Sequence, residues 1–168
     1  MTRLDFILRY AQGNVLNVGA ASEAQYLQTQ LSHLPAVTDL TGIDIVQAPG
    51  LTVHDIQEPM SETFDTVVLG EVLEHLADPM RALTNIHGHC HRLILTTPNP
   101  LARTMLMREG PDHLFYTTVK SLRNVRETAK FKSVTEDILP YERRGKRLVW
   151  LRNAYCWAQA ICQVWEPR

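Results

Sequence analysis

Net charge is nearly absent from this chain of 168 residues, where 17 lysines and arginines stand against 18 aspartates and glutamates. Without an overall basic field to hold a phosphate backbone, nucleic acid is unsupported as a partner. Cysteine is scarce as well. Cys90, Cys156 and Cys162 are odd in number and have no CxxC spacing, which argues against a disulfide framework or a zinc knuckle and points to a reducing cytoplasm. No apolar run approaches the roughly 20 residues that span a bilayer. The first ten residues mix Arg3, Asp5 and Arg9 into their apolar positions, so neither a membrane anchor nor a signal peptide is expected. Repeats, low-complexity stretches and linker-like composition are also missing, and the expectation is one domain over residues 1–168.

What the chain has is alternation. Short β-rich apolar runs recur at Val15–Val18, Leu40–Val46, Leu51–His54, Thr66–Leu69 and Leu93–Thr97, with helix-like or loop segments between most of them. This pattern predicts an α/β fold with a mostly parallel sheet covered by helices. Asp78 before Pro79 supplies an N-cap and a residue whose missing N–H is harmless in the first turn, so a helix is expected over Pro79–Ile86. Two further helices are expected, over Ser22–Leu31 and Thr117–Ala129. Between Asp44 and Leu51 only a bare loop fits. Lys132–Leu139 and Ala158–Trp165 read as a closing antiparallel pair at the sheet edge.

Ligands of open α/β sheets bind beyond the carboxyl ends of the strands, so the residues after each strand carry the information. Asn17-Val18-Gly19-Ala20-Ala21 is a turn of small residues where backbone N–H groups can approach a ligand. Gly42-Ile43-Asp44 offers a carboxylate able to accept both hydroxyls of a ribose. His54-Asp55-Ile56 follows the third run, and Gly70-Glu71-Val72-Leu73-Glu74-His75 the fourth.

The run from Phe64 to Pro79, FDTVVLGEVLEHLADP, resembles the segment after the second motif of class I S-adenosylmethionine-dependent methyltransferases. Leu93–Pro100 (LILTTPNP), Asp112-His113-Leu114-Phe115 and Thr117–Phe131 resemble later parts of the same family, and the likeness spans about Val15–Phe131. It implies a three-layer Rossmann-like sheet, mostly parallel with an antiparallel C-terminal hairpin. The implied cofactor is S-adenosylmethionine, bound by Asn17, Gly19, Ala21, Asp44, Ile45, Asp55, Ile56, Gly70 and Glu71. Gly19 and its neighbours would hold the methionine end, Asp44 the ribose and Asp55 the adenine amino group, while Gly70 and Glu71 would line the floor near the sulfonium. His75 and His113 are the candidate bases, and a lid rich in Met105, Met107, Phe115 and Tyr116 implies a small-molecule acceptor with an O, N or C nucleophile. Asn17, Ala21 and Glu23 depart from the family, which usually has an acidic residue and two glycines there. Ala21 fits only where the backbone avoids positive φ.

Several residues admit plainer or rival readings. A Glu-x-x-Glu-His run resembling Glu71, Glu74 and His75 binds a divalent cation in RNA terminal-ribose and ubiquinone-pathway methyltransferases, with His113 a further candidate ligand. A structural or substrate-orienting use is the expectation here, with no metal. His87-Gly88-His89-Cys90-His91 reads as a polar turn at the opposite end of the sheet, and Arg143, Arg144, Lys146 and Arg147 as a solvated turn. Trp150, Trp157 and Trp165 read as packing. The rival to an enzyme is a non-catalytic binding or scaffold module that kept the fold and lost the donor site. A nicotinamide dehydrogenase ranks below it, because the GxGxxG spacing is missing.

Overall fold

Continuous burial of Val15 through Val18 marks a strand covered on both faces, which is the signature of a central parallel strand. The computed structural model describes residues 1–21, 25–101, 113–114, 116–140 and 159–168. Its strands are β1 (Gly13–Val18), β2 (Val37–Asp44), β3 (Thr52–Val53), β4 (Phe64–Gly70), β5 (Cys90–Pro98), β6 (Phe131–Pro140) and β7 (Gln159–Pro167). They form one sheet in the order β3-β2-β1-β4-β5-β7-β6. The first five are parallel, while β7 pairs antiparallel with both β5 and β6.

Helices cover both faces. On one side α1 (Arg3–Tyr10) and α2 (Gln25–Ser32) bury Phe6, Ile7, Leu27 and Leu31 against Val15, Val68 and Ile94. On the other, α3 (Pro79–His87) and α4 (Val119–Thr128) bury Leu83, Ile86 and Leu122 against Leu16, Val67, Leu69 and Leu93. Trp165 joins that second core, with its ring 5.7 Å from Phe131, in the packing role expected of it. Three layers result. Among the described residues, no helix is long and apolar enough to cross a membrane.

Asp78 caps α3 through a 3.0 Å bond from the Arg81 N–H, with Pro79 in the first turn. Helix α4 starts two residues later than expected. The Thr118 hydroxyl is its cap, in a capping box with Ser121, while Thr117 is buried. Helix α1 has no counterpart in the sequence reading. Its start is fixed by a capping box in which Thr2 N–H donates to Asp5 (2.8 Å) and Asp5 N–H to the Thr2 hydroxyl (3.2 Å).

Neither β2 nor β3 is followed by a helix: residues 45–51 and 54–63 connect as loops. Ile45, Val46 and Val53 stay exposed at this edge. A groove of about 190 Å³ opens beside Thr41, Ile43, Thr52, Met60 and Phe64. Ile43, Phe64 and Met60 place it on the α3 and α4 face of the sheet, and His54 brings it to the end of β3.

The histidine cluster is the polar turn anticipated. His89 Nδ1 lies 3.0 Å from the Glu62 carbonyl oxygen, His91 lies 3.3 Å from Asp65, and His87 sits edge-on to Phe131. Three rings with three separate partners do not converge on an ion. Cys156, Trp150, Trp157 and the basic run from Arg143 to Arg147 lie outside the described residues.

Candidate active site

Strand register brings the predicted residues to one edge. Val18 is paired with Ile43 on one side and Leu69 on the other, so Gly19, Asp44 and Gly70 come next at three adjoining strand tips. Gly19 has φ +71°, and a Cβ there would sit 2.7 Å from Val72 Cγ2. Only glycine satisfies both the backbone and the space. The Ala20 N–H donates to the Ile43 carbonyl at 3.1 Å, closing the turn over β2. Among described non-glycine residues only Glu71 and Lys130 have positive φ, so Ala21 meets the condition set for it. Glu23 falls outside the described residues.

Asp44 ties two loops together, accepting from Ala21 N–H (2.9 Å) on one carboxylate oxygen and Val46 N–H (3.0 Å) on the other. A carboxylate has about four acceptor directions, so each oxygen retains one for a ligand hydroxyl. Ile45 beside it is exposed. Asp55 is oriented by Gln57, whose backbone and side-chain N–H groups donate to it at 2.9–3.2 Å. The same Gln57 accepts from Asp78 N–H at 2.7 Å, linking this loop to the start of α3. Ile56 is buried, and its carbonyl accepts from Asn85.

Asn17 is fully buried under the first loop and donates 2.8 Å to Gln28 of α2, so a neutral amide anchors helix to strand where the family usually has an acid. Its Oδ1 has no hydrogen-bond partner among the described residues.

Beyond β4 the chain turns through Glu71 with φ +61°, a conformation uncommon for a non-glycine residue. Its N–H donates to the Thr96 carbonyl (3.0 Å), and its carboxylate lies 3.9 Å from the Arg3 guanidinium. A single 3₁₀ turn, Leu73–His75, follows. It buries Glu74, whose carboxyl is pushed up to about 8 by burial first and by the Glu71 charge second. The Thr97 hydroxyl, the Glu74 backbone and Arg3 offset only part of that rise.

His75, exposed, and His113, half-buried, meet edge-on with centroids 4.8 Å apart, and Tyr116 packs edge-on against His113 at 5.3 Å. Leu114 N–H donates 2.9 Å to the Glu74 carbonyl, which pins this segment to the turn. Glu74, His75 and His113 each present one ligand-type atom within 4.8 Å of the others. Glu71 does not join that set. Asp112, Met105, Met107 and Phe115 lie outside the described residues.

Sequence reading missed Arg3, Gln57 and Thr97. For Arg3 a signal existed: Thr2 and Asp5 have capping-box spacing, and a helix starting there places Arg3 at its first position.

A family model described as a methyltransferase domain matches residues 3–136. No curated protein matches the chain. Solved structures share its fold at low identity. Magnesium protoporphyrin IX methyltransferase from Synechocystis PCC 6803, with bound SAH, aligns at TM-score 0.68 and 14% identity, covering 98% of this chain and 81% of that one. Burkholderia thailandensis 1,6-didemethyltoxoflavin-N1-methyltransferase, with its substrate and S-adenosylhomocysteine, aligns at 0.64 and 14%, covering 99% and 76%. The [4+2]-cyclase SpnF aligns at 0.70 and 12%, covering 98% and 80%. The mostly parallel sheet with its antiparallel C-terminal hairpin, the strand-tip loops and the family match over most of the chain agree: the protein belongs to the methyltransferase-domain family and has the Rossmann-like fold of class I S-adenosylmethionine-dependent methyltransferases.

Proposed function

We propose that this protein transfers a methyl group from S-adenosylmethionine to an O, N or C nucleophile of a small molecule. The observation that supports the reading is that Gly19, Asp44 and the Gly70-Glu71 turn stand at three adjoining strand tips, with Gly19 in the left-handed conformation that suits close ligand approach. The cofactor, when bound, supplies an already activated methyl on a sulfonium. The protein's task is therefore alignment and exclusion of water. Asp44 has acceptor directions left for ribose hydroxyls, Asp55 stands ready for the adenine amino group, and Ile45 and Ile56 border the nucleobase. Proton removal from the acceptor falls to His75 or His113, which adjoin the Glu71 end of the crevice. The partners are then a small-molecule acceptor and the methyl donor, and the scarcity of cysteine suits a cytoplasmic location.

The rival is a non-catalytic module. The fold alone does not decide between them, since SpnF has it and is a cyclase. Titration with S-adenosylhomocysteine separates the readings: saturable micromolar binding, weakened roughly tenfold in Asp44→Asn by loss of charge-assisted bonds, supports the enzyme. No binding by the wild type supports the module. A second reading of the acceptor side rests on the proximity of Glu74, His75 and His113, which would hold a divalent cation to orient a substrate hydroxyl. Heat release on adding Mn²⁺ or Zn²⁺, abolished in His113→Ala, is its sign.

A further inference from the structure

Side chains tie the loop after β3 to α3 at several points. Glu58 N–H donates to the Asp55 carbonyl (2.8 Å) and closes a turn, while the Asn85 amide of α3 donates to the carbonyls of Ile56 (3.1 Å) and Glu58 (3.0 Å). Within that frame one side chain faces two ways. The Gln57 Nε2 group donates to both oxygens of the Asp55 carboxylate, at 3.2 and 3.1 Å, and its Oε1 accepts from Asp78 N–H at 2.7 Å. The two partners need opposite ends of the amide, so its orientation is settled: flipped, it would set oxygen against carboxylate and N–H against N–H. Asp78 is the N-cap of α3, so a helix start holds the amide in place.

Asp55 is left with little freedom. Of the roughly four acceptor directions of a carboxylate, Gln57 fills two on Oδ1, through its backbone and side-chain N–H groups, and one on Oδ2. One direction remains, on Oδ2. Resting on the reading above in which Asp55 meets the purine of the methyl donor, we propose that Gln57 is a positioning residue that sets base selectivity, by fixing the Asp55 carboxylate so that it has a single acceptor to offer the exocyclic amino group of adenine. A carboxylate free to turn about its own bond would follow the donor to the ring N–H that an oxopurine carries beside its carbonyl, and would accept either base. One held by three hydrogen bonds does not turn, and the oxopurine then sets its carbonyl against the carboxylate.

The test compares S-adenosylhomocysteine with S-inosylhomocysteine, whose purine carries an oxo group in place of the amino group, by calorimetric titration. The wild type should bind the adenosyl compound roughly 10- to 100-fold more tightly, the range of a hydrogen bond to a charged group. In Gln57→Met, which matches the length but has neither donor nor acceptor to give, that ratio should shrink by at least about threefold. Gln57→Asn, too short to reach both Asp55 and Asp78, should lose selectivity likewise and serves where the first variant does not fold. A ratio equal to that of the wild type, including an equal loss of affinity for both ligands, overturns the proposal and marks Gln57 as structural only. Asp55→Asn examines the reading beneath it, because a neutral amide can donate to an oxo group and should erase the preference. A wild type without preference, or a preference that survives in Asp55→Asn, shows that Asp55 does not read the base. A wild type that binds neither ligand removes the methyl-donor reading, and either failure takes this assignment with it.

Discussion

Glu71 is held at φ +61°, where a side chain other than glycine costs on the order of 1 kcal/mol. The strain aims its carboxylate at Arg3 on one side and places a negative charge near buried Glu74 on the other. Glu74 therefore retains its proton in the folded protein to about pH 8, whereas an unfolded glutamate loses it near 4.5. Between those values the native state binds more protons than the unfolded one, so the stability contributed by this group is present below pH 4.5 and declines as pH rises towards 8. Glu74→Gln should flatten that decline. Its unfolding free energy from urea denaturation should match the wild type near pH 5 and exceed it at pH 8, by as much as about 1.4 kcal/mol per pH unit crossed. Parallel curves for the two proteins from pH 5 to 8 would contradict the assignment of the proton to Glu74.

At the scale of elements, helix α1 shows what the sequence displayed and what it concealed. The cores of β1, β4 and β5 were legible because buried parallel strands read as unbroken apolar runs, and α3 was legible because Asp78-Pro79 is a start signal with a mechanism. The placing of Gly19, Asp44, Asp55, Gly70 and Glu71 at or just beyond strand ends was legible by position alone. Helix α1 was not: eight residues carrying Arg3, Asp5 and Arg9 look like a solvated terminus until a sheet face is present to bury Leu4, Phe6 and Ile7. Arg3 meets Glu71 only through that packing, which no local pattern encodes. Likewise Gln57 became a link between the Asp55 loop and α3 only once tertiary folding put Asp78 beside it. Loss of the cap should register directly. Thr2→Ala is expected to lower unfolding stability by about 1 kcal/mol, measured by urea denaturation. An unchanged midpoint would mean that α1 is held by its buried face alone.

At the scale of the whole molecule, β7 joins the parallel strands to the edge strand β6, and Trp165 is the largest fully buried side chain among the described residues. The indole N–H donates 2.6 Å to Gln163, which in turn donates 2.7 Å to Glu136 of β6. Trp165→Ala should remove about 3–5 kcal/mol, a large share of the 5–15 kcal/mol that holds an average domain folded. The expected readout is loss of a cooperative thermal transition, or a fall in its midpoint of ten degrees or more. A shift of only one or two degrees would show that the core around Phe131 closes without it. The two thinly covered connections after β2 and β3 are placed where they cost least, on the far side of the sheet from this joint.

The strand order also has a consequence for synthesis. As the chain leaves the ribosome, β5 appears well before its antiparallel neighbour, because β6 precedes β7 in sequence yet lies outside it in the sheet. Until the β6 and β7 ribbon docks as a unit, the nascent protein displays a bare row of main-chain donors and acceptors along β5. During that interval it is open to pairing with a second nascent chain.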